Sequence, residues 1–261
     1  MSTPRFNVGI WLFAVLAASS VSGQDRPSSN PQAVAYATRS IAAMTGGARI
    51  SDVTLTANVT WIGGSEPEAG TGILLAKGTS GSRIDLALNS GGKRTEIRSA
   101  ENGPAGRWVN PDGKSGKYAF HNCWTDAAWF FPASSSLANF ADTRFVFSYI
   151  GEETWNGLSV RRLRVYQVQE GFKEVQRLST MDYFLDPTSS LPLGMTFKTH
   201  PDKDMNGEIL TEVRFADYEL VDGIEVPSHI QHFQNGALVM DITVTAASFN
   251  TGLSDDAFDA H

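Results

Sequence analysis

The side chains best suited to catalysis in this sequence are five histidines and a single cysteine, Cys123. His229 and His232 lie three apart in an alternating segment, so on a strand they point to opposite faces, which does not predict a zinc site. The sequence contains no G-x-S-x-G motif. A secreted hydrolase would therefore need a serine, an aspartate and one of His121, His200, His229 or His232 to converge in three dimensions.

Cys123 has no second cysteine with which to form an internal disulfide. We predict that it is a small buried apolar residue, with a free reactive thiol as the alternative.

The segment 202–209 resembles the first half of a calcium loop. Asp202, Asp204 and Asn206 take positions one, three and five, and Gly207 takes position six. The bidentate glutamate expected at position twelve is replaced by Val213. We therefore predict a plain hairpin turn, with a calcium site as the alternative, and no metal or cofactor elsewhere.

Two further motifs are interpreted as surface features. The Asp-Gly-Lys-Ser segment 112–115 imitates the end of a phosphate-binding loop, but Trp108 stands where that loop requires its first glycine. Arg161, Arg162 and Arg164 form a basic cluster on a predicted strand. A solvated sheet edge is favoured over an anion site for this cluster.

The first 23 residues are typical of a secretory signal peptide. Arg5 is followed by an apolar run, 8–18, and by the small residues 21–23. That run is about half of the roughly 20 residues that span a bilayer, and no cysteine follows to carry a lipid. We predict a periplasmic or secreted protein with a short disordered tail, 24–29, and one domain, 30–261.

The chain carries 21 basic and 28 acidic residues, a net charge of -7, and cleavage would remove only Arg5 from the basic set. This acidic balance argues against a nucleic-acid partner.

The periodicity predicts one helix followed by a long meander. Asn30 is suited to cap a helix that Pro31 opens and that Gly46 ends. Alternation with period two begins at Val53 and returns in roughly 12 segments, separated by turn signals such as Asn235-Gly236. The segment 170–178 is predicted as a short helix, and 107–120 shows little pattern.

The segment 123–131 carries two tryptophans and two phenylalanines. With Asn122 as a cap and Pro132 as a stop, we predict a short helix that places Trp124 and Phe131 on one face and Trp129 away from it. Such a helix is more apolar than a surface position needs. It is interpreted either as a core helix or as a lid that closes over a ligand.

The C-terminal third resembles the outer-membrane lipoprotein carrier (LolA-type) superfamily. The resemblance rests on Tyr-Phe-Leu-Asp at 183–186, Leu-Pro at 191–192, Phe-Ala-Asp-Tyr at 215–218, Val-Asp-Gly-Ile-Glu-Val-Pro at 221–227 and the Asn-Gly turn at 235–236. It implies a mainly β fold, a strongly curved antiparallel sheet forming an incomplete barrel, with an N-terminal helix and a helical lid over the concave face. It also implies a non-enzymatic carrier or sensor of a lipid or acylated protein, with transient contact with membrane proteins.

The remaining alternatives are a protein-binding regulator on the same fold and the secreted hydrolase. The predicted ligand-binding surface of lid and cavity comprises Leu55, Val59, Trp61, Trp124, Trp129, Phe130 and Phe131.

Overall fold

The computed structural model describes residues 27–63, 66–100 and 103–260, so the predicted signal peptide lies outside the described residues. The described chain has helices α1 (Pro31–Thr45) and α2 (Glu174–Leu178). Its strands are β1 (Asp52–Trp61), β2 (Glu68–Lys77), β3 (Gly81–Leu88), β4 (Lys93–Ser99), β5 (Ala105–Val109), β6 (Ser115–Lys117), β7 (Phe145–Trp155), β8 (Leu158–Gln167), β9 (Met181–Leu185), β10 (Pro192–Thr199), β11 (Ile209–Val221), β12 (Ile224–Gln234) and β13 (Ala237–Phe249).

Helix α1 begins and ends as the sequence predicts. The Asn30 side chain accepts a hydrogen bond from the Ala33 N–H at 3.0 Å, which satisfies one of the unpaired donors of the first turn. Gly46 ends the helix in the left-handed conformation, with φ of 59°. The apolar stripe then faces inward, and Met44 is fully buried. Ser29, which belongs to the predicted tail, hydrogen-bonds to Phe147 of β7.

The hairpin turns follow from their Asn-Gly and Asp-Gly pairs. Both residues have positive φ at Asn156-Gly157, at Asp222-Gly223 and at Asn235-Gly236, as a type I′ turn requires. These turns fix the registers of β7 with β8, of β11 with β12 and of β12 with β13.

All 13 described strands form one antiparallel sheet, in the order β6-β5-β4-β3-β2-β1-β13-β12-β11-β10-β9-β8-β7. Strands β3 and β8 lie eight positions apart, about 38 Å in a flat sheet. Ile84 of β3 and Leu163 of β8 are nevertheless buried in the same core cluster as Leu55 of β1. The sheet must therefore curve strongly around its core without closing, which confirms the predicted incomplete barrel.

Strands β5 and β6 were not predicted, because glycine interrupts the alternation of side chains there. In the structure, aromatic rings cover two of these glycines. A Cβ on Gly106 would lie 2.7 Å from the Tyr118 ring, and one on Gly116 would lie 2.8 Å from the Trp108 ring. The rings supply the packing that a glycine cannot, so short strands form in a segment whose sequence shows no period.

Among the described residues, no helix has both the length and the apolar character needed to cross a bilayer.

Candidate functional site

The concave face of the sheet is apolar and filled. On β1, Leu55 and Val59 are 0% and 3% exposed and belong to the core cluster, and Trp61 is partly buried against it. Helix α1 covers part of this face. Another part is covered by the segment 123–137, here called the plug, whose Phe130 and Phe131 have no exposed surface.

The plug is not the predicted helix. Residues 123–131 form bends and turns, with a 3₁₀ turn before them at Phe120–Asn122 and others after them at Pro132–Ser134 and Ser136–Asn139. The prediction of a helical face shared by Trp124 and Phe131 is therefore wrong. Its placement of Trp129 away from the apolar surface is also wrong, since Trp129 is 4% exposed within the core cluster.

Tertiary hydrogen bonds take the place of the helical ones. In an α-helix the Asn122 carbonyl would accept from the Asp126 N–H. Instead, the Asp126 N–H faces Met181 Sδ at 3.4 Å, and the Asn122 carbonyl accepts from Arg98 at 3.0 Å. Arg98 also donates to the carbonyls of Thr125 and Asp126, each at 3.0 Å. This one guanidinium, on β4, therefore fixes three backbone carbonyls at the start of the plug.

A second polar contact lies deeper in the core. The buried Asp126 carboxylate accepts from the Ser136 N–H at 2.9 Å and from the Tyr183 hydroxyl of β9. Burial raises the pKa of Asp126, and the hydrogen bonds from Tyr183 and Ser136 only partly oppose that rise. Burial, together with the neighbouring Asp126 charge, raises the pKa of Tyr183 well above its usual value. Asp126 and Tyr183 thus join the two ends of the plug to the sheet.

Trp124 is separated from the other predicted ligand-contacting residues. It forms a small cluster with Val175 and Leu178 of α2, and its ring lies 5.5 Å from that of Phe172. The short helix predicted at 170–178 is thus present over Glu174–Leu178, and it anchors the first turn of the plug outside the concave core.

A cavity of about 380 Å³ lies where the plug meets the strand ends that flank the Asn235-Gly236 turn. Trp129 and His232 line it and stack with ring centroids 4.6 Å apart. From β4, Arg94 and Glu96 also line it. The cavity therefore combines flat aromatic rings with charged and polar groups, beside an otherwise apolar core.

The candidate catalytic histidines have separate surroundings. His229 faces the convex side and pairs with Asp241 at 3.1 Å, while His232 faces the core, as their spacing predicts. Among the described residues, no hydrogen bond joins a serine hydroxyl to a histidine ring. The described histidines are thus not part of a hydrogen-bonded Ser-His-acid set in this structure.

The basic cluster on β8 is paired rather than solvated. Arg162 and Arg164 donate to the Asp182 carboxylate at 2.6 and 2.8 Å, and Arg161 bonds Glu152 and the Pro187 carbonyl. Strand β8 lies between β7 and β9. The predicted edge position is therefore wrong, because β7 covers that side of β8.

Cys123 is buried, and the calcium-like segment forms a turn. Cys123 is 7% exposed, and burial raises the pKa of its thiol, so the prediction of a buried residue is confirmed. The loop forms a turn in which Asp204 accepts from the Asn206 N–H at 3.0 Å. Among the described residues, no cluster of three or more His, Cys, Asp or Glu side chains is arranged to hold a metal ion.

The sequence interpretation missed Arg98 and the polar face of β4. Arg94, Glu96 and Arg98 alternate along the strand, so all three point to the same side. These three side chains line the cavity on the concave side of the sheet. The sequence alone favours the opposite orientation, with the apolar Ile97 pointing inward. The signal available was the set of three charged residues of alternating sign at a spacing of two.

The architecture of this chain is similar to that of several solved structures, although its sequence is not similar to any curated protein. The sequence matches no family model, and no curated protein matches it significantly. Solved structures do match. An outer membrane lipoprotein-sorting protein domain from Vibrio parahaemolyticus has a TM-score of 0.54 at 13% identity, covering 87% of this chain and 96% of that one. A LolA superfamily protein from Nitrosomonas europaea has a TM-score of 0.53 at 11% identity over the same shares. This chain has the LolA-type fold.

A DUF1329 family protein from Desulfovibrio piger has the same fold, with a TM-score of 0.53 at 15% identity over 87% of this chain and 96% of that one. The LolA-type fold confirms the architecture implied by the motifs of the C-terminal third. At these identities the likeness establishes the fold, so function is argued from the residues of this chain.

Proposed function

We propose that this protein is an exported carrier or sensor that binds a lipid or an acylated protein. Acyl chains would occupy the concave face of the LolA-type sheet, which is lined by residues such as Leu55 and Val59. The observation that carries the proposal is that an irregular segment, the plug, fills this face where a regular element would otherwise be expected.

An irregular plug suits replacement by acyl chains. The side chains of Trp129, Phe130 and Phe131 supply apolar contact area in the core. The backbone of these residues makes few hydrogen bonds to the sheet. An acyl chain offers equivalent burial, at about 0.8 kcal/mol for each methylene. Exchange of plug for ligand therefore conserves most of the hydrophobic stabilisation of the core.

The polar contacts of the plug lie at its ends, which suits a segment that opens about fixed points. Arg98 bonds the carbonyls of residues 122, 125 and 126, and Asp126 bonds Ser136 and Tyr183. Trp124 remains anchored against α2 in this proposal, while Trp129 to Phe131 move to line the chain path together with Trp61.

The signal-like residues 1–23 support export, and the lipoprotein-sorting name of one structural relative supports an acylated cargo. Delivery or sensing would bring the protein into transient contact with membrane proteins. We propose that one half-barrel domain, 30–261, both binds the cargo and contacts the membrane proteins.

Binding of a fluorescent fatty-acid probe tests the proposal. We expect the parent protein to bind it and Arg98→Leu to bind it several-fold faster, because the plug loses its carbonyl contacts to β4. Arg144→Leu is the matched control, since the Arg144 side chain is 73% exposed and pairs only locally with Asp142. Hydrogen exchange of residues 123–137 should increase on binding.

Absence of probe binding by both the parent and Arg98→Leu would overturn the carrier proposal. Equal binding with unchanged exchange in the plug would show that the probe occupies another surface. Native mass spectrometry of the exported protein offers a direct second test, since a co-purified lipid adds its own mass.

A further inference from the structure

The 380 Å³ cavity beside the plug contains polar groups that lack partners. His200, 3% exposed, has its Nδ1 2.6 Å from the Gly207 carbonyl. Since a carbonyl only accepts, Nδ1 carries a proton, and in the uncharged tautomer with that proton Nε2 is an acceptor. This buried Nε2 has no hydrogen-bond partner. Leaving such a group unpaired is unfavourable, and a ligand that donates a hydrogen bond to it recovers that loss.

An unpaired donor lines the same cavity. Arg94 Nε is buried without a partner, although the rest of its guanidinium bonds Glu96 and Asn110. The His232 ring also lines the cavity, and in its neutral form it offers one donor and one acceptor. The cavity walls therefore present both kinds of hydrogen-bonding group.

The charges of the walls favour a neutral ligand. Arg94 pairs with Glu96 at 3.2 Å, and Arg98 is engaged by the carbonyls of the plug. The other charged lining residue is Asp202, an acid. The two lining cations, Arg94 and Arg98, are thus balanced by the two lining acids, so the walls carry no net positive charge to attract a phosphate or a carboxylate. Burial holds the pKa of His232 at about 4, so its ring is uncharged at neutral pH.

A hydroxyl group is both a donor and an acceptor, so adjacent hydroxyls match a wall that offers unpaired groups of both kinds. The indole rings of Trp61 and Trp129 add flat apolar surface suited to the C–H faces of such a molecule. The cavity with these polar groups and indole rings lies beside the core in which the acyl chains would be bound.

We propose that this cavity binds a neutral polyhydroxyl group, either the glyceryl or sugar head group of a lipid or a free sugar. The lipid form of the inference rests on the proposed carrier function, whereas the free-sugar form does not. Hydrogen bonds to His200, Arg94 and His232 would select hydroxyl-bearing ligands over those with the same chain and no hydroxyl.

Calorimetry with chain-matched ligands tests this inference. The probes are 1-monolauroylglycerol and methyl laurate, which share one acyl chain and differ in the hydroxyls of the head group, together with free glucose. We expect the parent protein to bind the glyceryl ester about tenfold more tightly than the methyl ester, the effect of two neutral hydrogen bonds.

Two variants examine the cavity itself. His232→Phe preserves the ring that stacks on Trp129 and removes both ring nitrogens, so it should fold and lose several-fold of the preference. Val239→Phe fills the cavity from its partly exposed wall without removing a side-chain hydrogen bond, and it should abolish the preference. His229→Phe is the matched control on the opposite face of the same strand, and it should retain the preference.

Each outcome separates the two proposals. Equal binding of both esters, with no binding of glucose, would overturn the head-group inference and leave the carrier function intact. Binding of glucose alone, lost in Val239→Phe, would support the cavity site and contradict the carrier function. Failure to bind all three probes would overturn both.

Discussion

The Trp129 indole stacks on the His232 imidazole with ring centroids 4.6 Å apart and planes inclined by 24°. This contact joins the plug to β12 at the wall of the cavity. Burial, together with the nearby Arg94 charge, lowers the pKa of His232 to about 4, while Glu96 opposes the change. At neutral pH the stack is therefore between two uncharged rings.

His232 should make stability depend on pH in the acidic range. An unfolded histidine has a pKa of about 6.5, so between that value and about 4 the unfolded chain takes up a proton that the folded protein does not. Stability should fall as the pH falls through this window. At pH 5 we expect His232→Phe to remove on the order of 2 kcal/mol of that loss, measured by urea unfolding at pH 7 and pH 5. Identical pH slopes in parent and variant would contradict the uncharged state of His232 in the folded protein.

Phe130 should contribute strongly to the stability of the ligand-free protein. Because its side chain has no exposed surface within the core cluster, Phe130→Ala should cost about 3–5 kcal/mol of unfolding free energy. Leu220→Ala, at a position 68% exposed, is the control and should change stability little. A Phe130→Ala melting temperature equal to that of the parent would show that the plug is already displaced in solution.

The ionised form of Asp126 should make the folded protein less stable at neutral pH than at acidic pH, where Asp126 is protonated. Its folded pKa is raised by burial, so the folded protein binds a proton more readily than the unfolded chain does. The stabilisation by that proton is present at low pH and is lost as the pH rises through the raised value. Asp126→Asn keeps an oxygen that accepts from the Ser136 N–H and turns its NH2 group toward the Tyr183 hydroxyl, which can rotate to accept from it. Urea unfolding at pH 7 should find the variant more stable than the parent, because no buried charge remains. A less stable variant at pH 7 would refute this assignment.

Asp182 should have the opposite pH dependence. Burial raises its pKa, but hydrogen bonds from Arg164 and Arg162 more than offset that effect and leave the pKa below its usual value. Its stabilisation is present above pH 3.8 and is lost as the pH falls through the folded value. At pH 7, Asp182→Asn should cost about 2 kcal/mol, because it leaves the Arg164 guanidinium without a charge partner and leaves Arg162 with only the longer pair to Glu153 at 3.4 Å. Asp112→Asn, which breaks an exposed pair with Lys114, is the control and should change stability little.

Calcium should leave the melting temperature unchanged. Asp204 is already occupied by the Asn206 N–H of its own turn, and no glutamate stands at the twelfth position of the loop. A ligand that binds only the native state adds about 2.7 kcal/mol at a hundredfold its dissociation constant, so a site would be readily detected by thermal unfolding with millimolar calcium. A rise of several degrees that Asp204→Ala removes would establish a calcium site.

Local signals in the sequence determined most of the sheet. Asn-Gly and Asp-Gly pairs specify turns with two positive φ angles, and each turn fixes the register of its two strands. Alternation along β1 places Leu55 and Val59 inward, because successive side chains of a strand point to opposite faces. Asn30 and Gly46 likewise bound α1 through contacts within a few residues.

The plug was decided by tertiary structure. Its composition and flanking residues favour a helix, but Arg98, about 25 residues earlier in the chain, binds the carbonyls that a helix would use. Asp126 bonds Tyr183, 57 residues away. The Arg94 and Glu96 side chains reach the same cavity as His232 only because the sheet curves. Turns, caps and alternation are properties of neighbouring residues and are present in the sequence, whereas a backbone held by distant side chains depends on the curvature of the whole sheet.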